Sequence, residues 1–417
     1  FFKEPSGALM NSVMPLKTKE IDACKAAGFC PTVLASEGAS TCNPITGMAG
    51  EYPCSNVDQL SFVSLSDLGS AADGNDIWGW TDPSTDREYA IMCCEDGTSF
   101  VDVTDGENPI VLGFLPTQTT STIWRDVKVY NNYAFIVSES VNHGMQVFDL
   151  TQLRDVSSFQ TFSPTLHYDQ FGSAHNIVIN EESGYAYIVG TKTCDGGLHI
   201  VDISDPTNPT CAGCFWQDGY THDAQCVNYD GPDQEHVGKE ICFCYNEDTL
   251  TIVDVTNKLN MIELSRRHYN GSQYTHQGWL TENSKFLFLN DELDEQAGTT
   301  GGPDNGKNTR TLIWNVQDLD NPAWVNTFYS QHTAIDHNLY VNGTYVFEAN
   351  YCAGLRILKV KEPLLNFQVP ILTEVAYFDV APNCDSTSFF GSWSNYPYFK
   401  SGNVIVSSIE RGLFVLR

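Results

Sequence analysis

The chain has 417 residues, and its 52 acidic against 22 basic side chains leave a formal charge of −30 at pH 7. A surface of that sign repels phosphate backbones and anionic headgroups, and no run of about 20 apolar residues is present, which argues against nucleic acid partners and direct membrane insertion. No linker or charge run divides the chain, so one large repetitive domain fits better than two unrelated ones.

Residues 1–56 come first and carry Cys24, Cys30, Cys42 and Cys54 amid Gly, Ala, Pro and Ser. They read as a small cystine-tied extension, with helical periodicity only around residues 17–27, ahead of a domain spanning 57–417. The opening Phe1-Phe2-Lys3, without an initiator Met or signal segment, suits a processed, secreted chain. The fourteen cysteines show no four-cysteine zinc spacing, and disulfides formed in an oxidising compartment account for them. Cys42, Cys54, Cys226 and Cys242 are read as half-cystines, the last two bracing one hairpin. The sequons Asn270-Gly271-Ser272 and Asn342-Gly343-Thr344 agree with secretion as N-glycan acceptors.

Past the extension, a short apolar strand built on V-D-V recurs. It is clearest as Phe100-Val101-Asp102-Val103, Val147-Phe148-Asp149-Leu150, Ile200-Val201-Asp202-Ile203 and Ile252-Val253-Asp254-Val255. It continues, degraded, as Ile313-Trp314-Asn315-Val316, Ile357-Leu358-Lys359-Val360 and Leu413-Phe414-Val415-Leu416. Seven copies spaced 44 to 61 residues apart suit four-stranded blades of about 40 to 50 residues rather than helical repeats. Apolar and β-branched runs punctuated by Gly, Pro, Asn and Asp complete each copy, so the fold is all-β, a seven-bladed β-propeller of antiparallel blades. The seventh copy stops one strand short. The alternating stretch Leu60-Ser61-Phe62-Val63-Ser64-Leu65 is expected to supply that strand and close the ring.

In a blade the first strand runs along the central channel, and the loop joining strands two and three returns to the face where the first strand begins. First strands open with Trp124-Arg125-Asp126, His175-Asn176, His222-Asp223, His276-Gln277 and His337-Asn338, with Trp78-Gly79-Trp80 in the first blade. The returning loops carry Glu139, Glu247, Asp291, Glu292 and Glu348, so imidazoles and carboxylates are expected on one face. Arg125, His175, His222, Asp223, His276, His337, Trp78 and Trp80 are the candidate ligand-binding residues. His222, His276, His337, Glu247, Asp291 and Glu292 are the candidate metal ligands. Calcium stands first given the excess of carboxylates, with zinc, manganese, iron or copper suited to the imidazoles. The competing reading makes the repeated histidine a structural anchor between blades, and the tryptophans filler between sheets rather than platforms for sugar rings.

His236 reads as an exposed loop histidine, and the insertion at residues 293–308 as a surface excursion whose acids do not match an EF-hand register. Phosphate-loop and hydrolase motifs are missing, so neither a nucleotide nor an organic cofactor is expected.

The chain resembles the LVIVD-repeat proteins, and specifically the choice-of-anchor B family. The likeness rests on His222-Asp223-Ala224-Gln225-Cys226, Gly231-Pro232-Asp233, Gly238-Lys239-Glu240-Ile241-Cys242 and Tyr274-Thr275-His276-Gln277-Gly278-Trp279-Leu280. It extends through Asn290-Asp291-Glu292-Leu293-Asp294-Glu295, Thr309-Arg310-Thr311 and Arg411-Gly412-Leu413-Phe414-Val415. The resemblance implies an extracellular propeller, often joined to a C-terminal surface anchor, and no established reaction. This sequence reaches Arg417 directly after its closing strand, so no anchor is expected within it. The combined expectation is an extracellular scaffold that binds a protein or glycan through the histidine- and acid-lined face, with a divalent cation. A metal-dependent enzyme acting on a carbohydrate or small organic substrate is the first alternative, and a self-associating coat or filament subunit the second.

Overall fold

The V-D strand is the third strand of each blade, and its chemistry explains why it recurs. Its apolar residues, such as Phe100, Val147, Val201 and Ile252, are fully buried between sheets. The aspartate stops the strand by accepting a hydrogen bond from the backbone two residues on. Asp102 accepts from Thr104 N at 3.0 Å, Asp149 from Thr151 N at 2.9 Å, Asp202 from Ser204 N at 2.9 Å and Asp254 from Thr256 N at 3.0 Å. In the fifth copy Asn315 does the same for Gln317 N at 3.0 Å, which is why Asn replaces Asp there without breaking the pattern. A bulge between strands three and four falls at the same register beside Phe100, Ile200, Ile252, Ile313 and Ile357, adding twist to each sheet.

The computed structural model describes residues 8–27, 34–361 and 369–417. Within them lie seven sheets, each with four antiparallel blade strands in the expected order. The inner strands are Gly74–Thr81, Arg125–Tyr130, Asn176–Asn180, Asp223–Asn228, Thr275–Leu280, Leu339–Asn342 and Ser392–Tyr396. Closure follows the predicted route: Gln59–Ser64 pairs with Gly412–Leu416, setting Phe62 opposite Phe414. The two rings lie 4.7 Å apart, so the last sheet is locked by aromatic packing as well as by its ladder.

The extension is woven into the ring. Tyr52–Ser55 pairs with Ile371–Phe378 and, with Met48–Ala49, enlarges the sixth sheet to six strands. Ahead of it a helix, α1 (Ala8–Ala27), begins well before the expected 17–27 stretch and lies over the channel on the face where the inner strands begin. No helix among the described residues is long and apolar enough to cross a membrane.

Disulfides join Cys42 to Cys54, Cys194 to Cys214, Cys226 to Cys242 and Cys352 to Cys384. Cystines do not account for every cysteine. Cys93, Cys94 and Cys244 are buried thiols within strands, and Cys211 is an exposed one. Phe1, Phe2, Lys3 and Cys30 lie outside the described residues.

The insertion differs from a surface excursion. It folds inward as two short turns, Asp294–Ala297 and Pro303–Gly306, with Asp294 and Glu295 fully buried and Arg310 paired to Asp294.

Candidate functional site

Four adjacent blades each deliver one histidine to the mouth of the channel, because each inner strand begins at the same height on the ring. His175, His222, His276 and His337 form a row with successive ring centroids 4.4, 4.2 and 4.5 Å apart, all buried. The loop after Phe286–Asp291 brings fully buried Glu292 up against the last two.

The hydrogen bonds fix where protons sit. His222 Nδ1 lies 2.9 Å from the His276 carbonyl and His337 Nδ1 lies 2.5 Å from the Trp393 carbonyl. A carbonyl only accepts, so both Nδ1 atoms carry hydrogen. One nitrogen of each of these two rings thus anchors the neighbouring blade, while Nε2 of His222 meets His175 and Nε2 of His337 is left facing Glu292. Burial holds His222, His276 and His337 well below the usual imidazole range, with the nearby Lys17 ammonium and other imidazoles adding to it. Neutral His337 therefore aims a lone pair from Nε2 at Glu292 Oε1, 3.3 Å away, while His276 Nε2 lies 3.9 Å from Oε2. His276 Nδ1 and Glu292 Oε2 are buried without hydrogen-bond partners. A lone pair facing a carboxylate calls for a cation between or beside them.

The cation in this structure is Lys17 of α1, whose Nζ lies 2.5 Å from Glu292 Oε1. Tyr351 OH donates to the same oxygen at 2.7 Å. At the far end of the row His175 Nε2 lies 2.8 Å from His222 Nε2 and must donate to it, because His222 has spent its hydrogen on Nδ1. His175 Nδ1 then faces Glu139 Oε1 at 3.1 Å.

The other expected site residues are elsewhere. Glu247 Oε1 accepts from Met10 N at 2.8 Å, and burial pushes its carboxyl up to about 7. Asp291 is committed to its own loop, accepting from Tyr274 N at 2.7 Å and Gln273 N at 2.8 Å. Arg125 turns between blades to Thr117 Oγ1 at 2.7 Å. Asp223 and Trp78 face the channel one layer deeper, where burial pushes Asp223 up to about 7 and Lys128 Nζ sits 4.7 Å from the Trp78 ring. Trp80 stacks on Tyr89 at 5.0 Å inside the sheet. His236 is not exposed: it is buried, with Nε2 2.8 Å from Asp320 Oδ2. Asp233, His236 and Asp320, drawn from two loops away from the channel mouth, form a second trio with mutually close ligand atoms.

Sequence reasoning missed Lys17 and Tyr351. A signal for Lys17 existed: Met10, Val13, Lys17, Ile21 and Cys24 follow helical spacing and are the buried stripe of α1, so the lysine occupies an apolar position.

The opposite mouth holds an open cavity of ≈ 400 Å³ lined by Trp78, Lys128, Asp223, Trp279 and Tyr340, with exposed Glu181 and Glu282 on its rim.

The LVIVD repeat family matches residues 124–142 and 171–215, in the second and third blades. Among solved structures the chain is similar to Kuenenia stuttgartiensis hydrazine synthase, at 11% identity and TM-score 0.54, covering 79% of this chain and 92% of that one. It is also similar to a protein from Lactobacillus plantarum, at 12% identity and TM-score 0.51, covering 80% and 88%. A functionally unknown protein from Desulfotomaculum acetoxidans matches at 13% identity and TM-score 0.48, covering 72% and 85%. Identities this low show the fold alone. Comparison with curated proteins gives no match.

Proposed function

We propose that this LVIVD-repeat propeller is a secreted binding protein of the choice-of-anchor B kind. Its histidine- and acid-lined mouth holds a divalent metal ion and, through that ion, engages an extracellular protein or glycan. The observation that supports this is the approach of the His337 and His276 nitrogens to the Glu292 carboxylate, with Oε2 left unpartnered. Two imidazoles and one carboxylate suit zinc, manganese, iron or copper. Calcium takes oxygen ligands, so among the ions suggested by composition this cluster favours the transition metals. The His337 Nδ1 bond to the Trp393 carbonyl is the kind of outer contact that orients a metal-binding ring with Nε2 inward. Disulfides and two exposed sequons support an extracellular setting.

Elemental analysis of the purified chain tests the reading. The expected result is stoichiometric transition metal that is lost in the His276→Ala/His337→Ala double variant. Metal content that is absent, or indifferent to those substitutions, sinks it. The same three donors with an open position also serve in hydrolytic metal centres, which keeps the enzyme as the second reading. Metal-dependent cleavage of chromogenic glycosides or esters that disappears in the same double variant would decide for it.

A further inference from the structure

We infer that α1 is a removable plug whose Lys17 ammonium stands in for the metal ion, so that helix and divalent cation compete for Glu292. This rests on the metal reading above and adds its regulation.

The Lys17 side chain is 3% exposed, and a buried ammonium persists only where its lost hydration is replaced. Here one carboxylate and four aromatic rings supply part of that replacement. Nζ lies 2.5 Å from Glu292 Oε1 and 5.5, 5.8, 5.2 and 5.3 Å from the centroids of Trp124, Tyr351, Phe389 and Trp393. Four ring faces and a carboxylate make a cage for a cation at the point where the imidazole row ends. Tyr351 is shared by both arrangements, since its hydroxyl holds Glu292 in place and its ring flanks the ammonium.

The rest of the helix is held on one side only. Met10, Val13, Lys17 and Ile21 face the propeller, while Asn11, Ser12, Leu16, Lys19, Asp22 and Ala23 are exposed. Among the described residues its polar ties to the propeller include Met10 N to Glu247, Tyr274 OH to Met10 Sδ, Glu20 to Phe389 N and Gln296, and Lys25 to Asp73. Ring closure uses Gln59–Ser64, so α1 can leave without opening a sheet edge. A divalent ion bound at His276, Glu292 and His337 would sit beside the Lys17 ammonium, and the like charges would expel one another. Departure of α1 then uncovers the histidine row.

The experiment titrates zinc into the 417-residue chain and its Lys17→Met variant by calorimetry, with hydrogen exchange followed across residues 8–27. Methionine keeps the length and apolar stem of the side chain and removes its charge. The expected results are zinc binding at least tenfold tighter in Lys17→Met, and faster exchange in α1 of the wild-type chain when zinc is bound, with blade strands still protected. Equal zinc affinity in both chains, lost in His276→Ala/His337→Ala, would leave the metal site standing and overturn the plug. Zinc binding to neither chain would overturn the metal reading, and the competition with it. Protection of α1 that zinc leaves unchanged in the wild-type chain also overturns the plug.

Discussion

The two mouths of the channel are made from opposite ends of the same inner strands, yet one is sealed and the other is open. At the open mouth the charged groups inside the channel answer one another: Lys128 Nζ lies 2.6 Å from Asp126 and 3.3 Å from Asp76. Burial pushes Asp76 well above the usual carboxylate range, with the Lys128 ammonium opposing that shift. At the sealed mouth the propeller's own groups leave a demand unmet, with neutral imidazoles and a carboxylate converging on one point. Lys17 arrives from outside the ring to meet it. A cavity of ≈ 400 Å³ marks the open end. Unsatisfied chemistry chooses the sealed one.

The sharpest way to break this contrast is to remove the carboxylate. Glu292→Ala leaves the Lys17 ammonium facing aromatic rings with no anion, and the expected cost is about 3 kcal/mol in urea unfolding. Glu292→Ala/Lys17→Met should recover most of that loss, since the stranded charge goes too. If the double variant is no more stable than the single one, Lys17 does not depend on Glu292 and the two mouths do not differ in the way described.

A smaller effect reads the sealed side by pH. Burial pushes Glu348 up to about 7, and Thr311 and Asn350 donate to its carboxyl, with Glu374 and Arg356 as the nearest charges. Burial also pushes Glu410 up to about 7, against weaker opposing bonds from its own backbone N–H and that of Gly391. Both folded values lie above the unfolded one, so the neutral acid is favoured in the folded chain. That contribution is complete below about pH 4.5 and is lost as pH rises through 7. The melting temperature should therefore fall between pH 5 and pH 8. Glu348→Gln should remove a share of the fall on the order of 2 kcal/mol. Parallel pH profiles for wild type and variant would show that Glu348 takes no part in the fall.

Much of this was legible in the sequence because it depends on period and direction. Apolar strands ending in Asp gave the blade count, and strand direction put His175, His222, His276, His337, Glu139 and Glu292 on one face. What escaped depends on which way single side chains turn. Successive residues of a strand face opposite sides, so once Asp126 and Lys128 face the channel, Arg125 must point between blades. The same alternation separates Asp223 from its neighbour His222 and sends it down the channel. Asp291 and Glu292 differ for a related reason: the turn consumes the first carboxylate in backbone hydrogen bonds and frees the second. Lys17 escaped because its partner is 275 residues away in the chain, and nothing local to α1 reveals a buried anion.

The smallest predicted effect places one marker near each mouth. Asn270 lies in the loop that leads to Thr275–Leu280, on the sealed side, and is exposed. Asn342 ends its inner strand on the open side and is also exposed, but its Nδ2 donates to the Pro397 carbonyl at 2.7 Å. In a chain expressed through a secretory host, Asn270→Gln should remove the mass of one glycan and move stability by less than about 0.5 kcal/mol. Asn342→Gln loses the bond to Pro397 as well, so it should cost about 1 kcal/mol. The pair of measurements is intact mass and thermal unfolding. An Asn270→Gln chain with the mass of the wild type would mean that its sequon goes unused, and the secreted reading would then rest on the disulfides and on Asn342 alone. A glycan on Asn270 would stand beside the helix that covers the histidine row.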